Sequence, residues 1–172
     1  MITFRSIFII TFSSVVLASC AGTGRSAVFI PPDGALVELN REATVPRGGR
    51  VFIQYGRVVE RGRVNVISPY CHFTVDRLGQ DSFEPSTLNP DTFTITRTYR
   101  RRSYVSSEGV QFAGRAGVDH TLSTIMELAS DQQPEVTRLT CSRWGMISDD
   151  GWLTMAEMKS TLSGLVDIVL SE

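Results

Sequence analysis

The chain has 172 residues, 42 % of them apolar, with 17 basic and 18 acidic side chains and a formal net charge of −1. That length suits one domain with a proper core. A charge so near zero excludes selection of a partner by bulk electrostatics, and no internal repeat or low-complexity tract is present.

The first element is a targeting segment. One basic residue, Arg5, precedes the uncharged, largely apolar run from Ser6 to Ala18, and small residues lead into Cys20. That order reads as a secretory signal peptide. At about 13 residues the run is shorter than the roughly 20 that a membrane-spanning helix needs. A buried N-terminal strand or helix would require neither the basic start nor the small-residue end.

Leu17, Ala18, Ser19 and Cys20 resemble the lipobox of bacterial lipoproteins. The resemblance implies cleavage before Cys20, acylation of its thiol, and reading of Leu17, Ala18 and Ser19 by the lipoprotein signal peptidase. Ala21 stands where an aspartate would retain many such proteins in the inner membrane. The implied location is therefore the outer membrane, facing the periplasm, with the bilayer as first partner; each buried CH₂ of an acyl chain contributes about 0.8 kcal/mol to such an anchor. Export argues against nucleic acid. The expected organisation is a signal peptide over 1–19, a lipidated tether over 20–27 made of small, polar and glycine residues, and a single β-rich periplasmic domain over 28–172.

Beyond the tether, short alternating runs are broken by turn residues, the pattern of a sandwich or barrel. "AVFIP" meets the turn Pro31, Pro32, Asp33, Gly34, and "ALVEL" and the turn "VPRGGR" follow. "RVFIQY" places Val51, Ile53 and Tyr55 on one face, and "RVNVI" repeats the alternation with Val64 and Val66. "CHFTVD" sets Cys71, Phe73 and Val75 on an apolar face against His72, Thr74 and Asp76. A loop rich in Ser, Asn and Pro, from Gln80 to Asp91, leads into "TFTITRTYRRRSY", where β-branched threonines alternate with Phe93 and Ile95 as a strand requires.

"HTLSTIMELASDQQPEVTRLTC" admits two structures. Leu122, Thr124, Met126 and Leu128 alternate as in a hairpin strand, while Leu122, Ile125, Met126 and Ala129 would line a helix capped by Asp119. The hairpin is favoured, because "SDQQPE" makes a loop returning into Val136 to Cys141. Near the C-terminus, Met158, Leu162, Leu165, Val166 and Val169 follow helical spacing, so an amphipathic helix is predicted over about 154–169, with Gly164 costing it about 1 kcal/mol. The predicted fold is mainly β, an antiparallel sandwich or small barrel carrying this helix.

Thr154 and Glu157 form the T-x-x-E capping box of that helix. Asp150, Gly151, Leu153 and Glu157 also fit the second half of a calcium-binding loop, but its first ligand would be Met146, which offers no oxygen, and a strand precedes it where a helix is needed. The cap is preferred, and neither metal nor cofactor is expected. Trp144 and Trp152 read as core or lid aromatics.

With Cys20 acylated, Cys71 and Cys141 remain in an oxidising compartment, on the apolar faces of two strands. A disulfide between them is expected.

Basic residues are almost all arginine, Lys159 being the one lysine. Residues 41–63 hold six arginines against two glutamates, residues 97–102 add four more, and the chain from Gly117 onward carries three basic against nine acidic residues. This asymmetry makes Arg47, Arg50, Arg57, Arg61, Arg63, Arg100, Arg101 and Arg102 candidate anion ligands, because guanidinium grips phosphate with two prongs. The competing expectation is a solvated sheet face.

No nucleophile elbow, zinc-protease helix, phosphate loop or dinucleotide fingerprint is present, and His72 and His120 are expected as surface histidines. "ELNREATVPRGGRVFIQYG" followed by "YC" is similar to uncharacterised proteobacterial lipoproteins, a resemblance that implies no activity. The expected role is non-catalytic, an envelope scaffold or assembly protein with a protein partner. The alternative is a binding module for phosphorylated lipid or anionic glycan through the arginine face.

Overall fold

The computed structural model describes residues 30–76, 85–104, 120–145 and 151–170. Leu17, Ala18, Ser19, Cys20, the tether, Asp119, and Met146 with Asp150 lie outside the described residues.

Ten strands are described: β1 (Leu36–Leu39), β2 (Ala43–Val45), β3 (Arg50–Gln54), β4 (Arg57–Val59), β5 (Tyr70–Val75), β6 (Ser86–Leu88), β7 (Asp91–Tyr104), β8 (His120–Ala129), β9 (Val136–Gly145) and β10 (Val166–Val169). One α-helix, α1 (Met155–Leu162), precedes β10, and a single 3-10 turn spans Arg61–Arg63 among the described residues. Eight strands form one antiparallel sheet in the order β10-β1-β7-β8-β9-β5-β3-β4, and β2 pairs with β6 in a separate ribbon. The architecture is mainly β, a curled half-barrel with one C-terminal helix.

The curl follows from the core. Phe73 on β5 and Phe93 on β7 lie three strand steps apart, which a flat sheet would set about 14 Å apart, yet their ring centroids are 6.0 Å apart. The sheet bends toward the face bearing Val51, Ile53, Cys71, Phe73, Val75, Leu139 and Cys141, all buried, and Met158 and Leu162 of α1 join the same cluster. Cys71 and Cys141 stand opposite each other on β5 and β9, with Cα atoms 4.0 Å apart, and are joined by the expected disulfide.

Segment 120–145 is the hairpin, with β8 and β9 paired from His120↔Gly145 to Glu127↔Arg138. The strand prevails because β8 is paired with β7 on one side and β9 on the other, and Leu122, Thr124, Met126 and Leu128 are all buried. The predicted helix is cut short. α1 ends at Leu162, Gly164 takes φ 77°, and Val166–Val169 turns into a strand against β1. Val166 and Ile168 point inward and alternate with Asp167 and Val169, so period 2 replaces the helical spacing there. The cap is present as read: Thr154 Oγ1 accepts from the Glu157 N–H at 3.2 Å, and the Glu157 carboxylate accepts from the Thr154 N–H at 2.8 Å.

Tyr55 is not part of the β3 face. It forms the two-residue turn into β4 with Gly56, both at positive φ (54° and 69°), and a Cβ on Gly56 would run into the Ser163 carbonyl oxygen. "RVNVI" forms no strand either. Asn65 Oδ1 accepts from the Ile67 N–H at 3.1 Å, while the buried Gln54 amide donates to the Asn65 carbonyl at 2.8 Å and accepts from the Asn65 N–H at 3.1 Å. These local bonds satisfy the backbone that a strand ladder would have used.

Candidate functional site

The outer face of the sheet, opposite the core, carries the polar half of each alternating strand. Strand register sets Tyr70, Ser142, Ser123 and Arg101 side by side across β5, β9, β8 and β7. Two residues along, His72, Thr140 and Ile125 form the next row, and beyond it Arg50, Thr74 and Arg138 cross β3, β5 and β9. Together with Ser103 and Thr121 these residues line a cavity of about 330 Å³. Its floor is built of hydroxyls: Ser123 Oγ and Ser142 Oγ are buried and hydrogen-bonded at 2.8 Å.

A bulge places Arg101 there. Phe93 and Ile95 point into the core, so unbroken alternation would send residues 97, 99 and 101 inward too. The register slips between Ile95 and Arg97, and Thr96 is the extra residue. Beyond it the phase is reversed: Arg97 and Arg101 flank the Tyr99 ring at 5.4 and 5.9 Å on the outer side. Arg100 falls on the other side, 5.2 Å from the Trp152 ring.

Charge in the cavity is one-sided: Arg50, Arg101 and Arg138 line it, and among the described residues no carboxylate does. Arg138 also lies 3.8 Å from Asp76, an exposed pair whose attraction water largely screens, so the guanidinium keeps its charge for the cavity. Burial, then the Arg50 and Arg138 charges, push the His72 pKa down to about 4, so His72 is neutral near pH 7. Its ring packs 5.1 Å from Phe52, and its Nδ1 is buried without a hydrogen-bond partner among the described residues. Burial raises the Tyr70 hydroxyl above its ordinary value, opposed by a hydrogen bond with Ser142 and by the Arg50 charge.

A second, larger groove of about 680 Å³ adjoins at Arg50 and also takes Arg47 and Arg61. The predicted arginines thus divide. Arg47, Arg50 and Arg61 share the groove and Arg101 the cavity, whereas Arg57, Arg63 and Arg102 line neither. Arg63 instead pairs with Glu60 at 3.4 Å. Sequence reasoning missed Arg138, Tyr70, Ser123 and Ser142. The signal was available in "TRLTCS", where Arg138, Thr140 and Ser142 alternate with Leu139 and Cys141. The histidines also divide, since His72 sits on the outer face as predicted but His120 is 0 % exposed, not a surface residue.

Among the described residues no group of His, Cys, Asp and Glu side chains is placed to hold a metal. Guanidinium forks over hydroxyl donors are suited instead to an anion bearing several acceptor oxygens. Comparison with protein-family models, curated proteins and solved structures finds no match to this chain.

Proposed function

We propose that this protein is an envelope lipoprotein, anchored through acylated Cys20, whose β domain binds an anionic, oxygen-rich ligand without transforming it. The observation that carries the binding role is the cavity in which, among the described residues, Arg50, Arg101 and Arg138 surround buried hydroxyls and the His72 Nδ1 with no carboxylate beside them and no hydrogen-bond partner for that nitrogen. Phosphate matches it best: it accepts from guanidinium forks and hydroxyls at once. The expected result is saturable binding of glycerol phosphate, measured by titration calorimetry at low salt. Arg101→Ala with Arg138→Ala should weaken it by about 100-fold, two charge-assisted bonds being lost at about 1.5 kcal/mol or more each. Affinity should also fall as salt rises. Equal binding by wild type and the double variant would remove the cavity from this role.

The scaffold role has its own support. Tyr55 at the β3–β4 turn and Ile67 in the turn before β5 are 66 % and 70 % exposed, an apolar presentation suited to a protein partner. Purification of the membrane-extracted protein in mild detergent, with crosslinking, addresses anchor and partner together. A mature chain beginning at acylated Cys20 and a partner in near-equal amount are the expected results. An uncleaved, unacylated chain would refute the anchor, and background proteins alone would refute the scaffold role.

A further inference from the structure

We infer that the groove adjoining the cavity holds a hydrocarbon chain, so that the ligand is an anionic amphiphile, a lipid whose phosphate sits among Arg50, Arg101 and Arg138. This rests on the proposed anion site and names its ligand class. The groove exists because β4 is short: it pairs with β3 only from Phe52↔Val59 to Gln54↔Arg57, leaving Arg50 and Val51 without a neighbour on that side. Its apolar lining comes from Phe52, Val58 and Val59 with Pro46, and Val58 is 46 % exposed.

The opposite wall is fixed rather than loose. The Val75 N–H donates to the Gly49 carbonyl at 2.7 Å, and at Gly49 (φ 65°) an added Cβ would run into the Val75 carbonyl oxygen. The 46–49 turn is therefore held against β5, and the groove is a built feature.

Charge and shape select the occupant. Arg47, Arg50 and Arg61 rim the apolar strip, and Glu60, the one carboxylate among the described lining residues, is offset by Arg63 at 3.4 Å. A glycan carries hydroxyls along its whole length and would leave them facing Phe52, Val58 and Val59, where little can bond them. A methylene chain loses nothing there, and each CH₂ buried strengthens binding about three- to fourfold. At 680 Å³ the groove falls within the size range of ligand pockets, and its place beside the cavity lets one molecule engage both at Arg50.

The test uses the full chain in phosphatidylcholine nanodiscs, titrated with glycerol phosphate and with methyl, butyl and hexyl phosphate, and read against empty discs. Affinity is expected to rise about tenfold for each two carbons added. Val58→Asn, a neutral polar change at an exposed edge position, should flatten that rise, so that butyl and hexyl phosphate bind the variant little better than methyl phosphate does. A flat series on the wild-type protein, with methyl and glycerol phosphate still bound, would overturn the chain site and leave the anion site standing. Hexyl glucoside binding as tightly as hexyl phosphate would overturn the anionic headgroup. Failure of every phosphate to bind would sink the anion site and this inference with it.

Discussion

Replacing both bridged cysteines, Cys71→Ala with Cys141→Ala, is expected to lower stability by about 4 kcal/mol on the chain-entropy account. The bridge closes a loop with a sequence separation of 70, long enough for a large effect on the unfolded ensemble. Both cysteines are fully buried, so alanine leaves small voids and creates no unsatisfied polar group. The β5–β9 ladder runs from Tyr70↔Ser142 to Val75↔Val136, and this pairing is expected to persist without the bridge. The effect should therefore appear as a lower denaturant midpoint and a fall in Tm on the order of 10 °C, not as loss of fold. A loss under about 1 kcal/mol by chemical denaturation would show that the bridge constrains little of the unfolded chain.

Acid is expected to weaken the fold through His72. Its folded pKa is lowered from 6.5 to about 4, so between these values the unfolded chain binds the proton and the folded chain does not. Stability from the neutral, buried ring is complete above pH 6.5 and is lost as pH falls toward 4; the shift corresponds to about 3 kcal/mol. Carboxylates also contribute to acid unfolding, so the comparison is with His72→Gln, whose amide does not titrate. Wild type should lose about 3 kcal/mol more than the variant between pH 7 and pH 4, followed by urea unfolding at each pH. Parallel curves would refute the assignment. Phosphate in the cavity would offset the Arg50 and Arg138 charges that help depress this pKa, so saturating phosphate should narrow the difference.

Strands β1, β3, β5, β7, β8 and β9 and the helix cap were legible because each rests on local pattern, whereas β6 (Ser86–Leu88) lies in the stretch read as a loop and is a strand only through its pairing with β2. Alternating apolar residues mark a buried face wherever one face is covered, and Thr154 needs only Glu157 three residues on. The end of α1 was not legible, because Leu162, Leu165, Val166 and Val169 satisfy helical spacing, and only pairing with β1 decides for the strand. "RVNVI" misled for the opposite reason: its alternation is real, but Asn65 and Gln54 capture the backbone first.

The candidate site was legible in kind and not in membership. An arginine cluster is visible in one dimension, but which arginines meet depends on register across five strands and on the Thr96 bulge, both set by tertiary packing. Arg138 lies far along the chain from Arg50 and reaches it through β5, since Arg50 pairs with Thr74 and Thr74 with Arg138. His120 looked solvated because it is polar and follows Asp119, yet it is fully buried at its place opposite Gly145 in the ladder.

The order of strands also sets a timetable for synthesis. β1 emerges first among the described strands and is bonded on one side by β7 and on the other by β10, the last to emerge. While residues 166–169 are still held by the ribosome, β1 keeps an unpaired edge and α1 has not yet settled over the half-barrel. Folding of the described sheet is therefore completed only after residues 166–169 are released. Until then the open edge of β1 is where a chaperone would bind or a neighbouring nascent chain would pair in error.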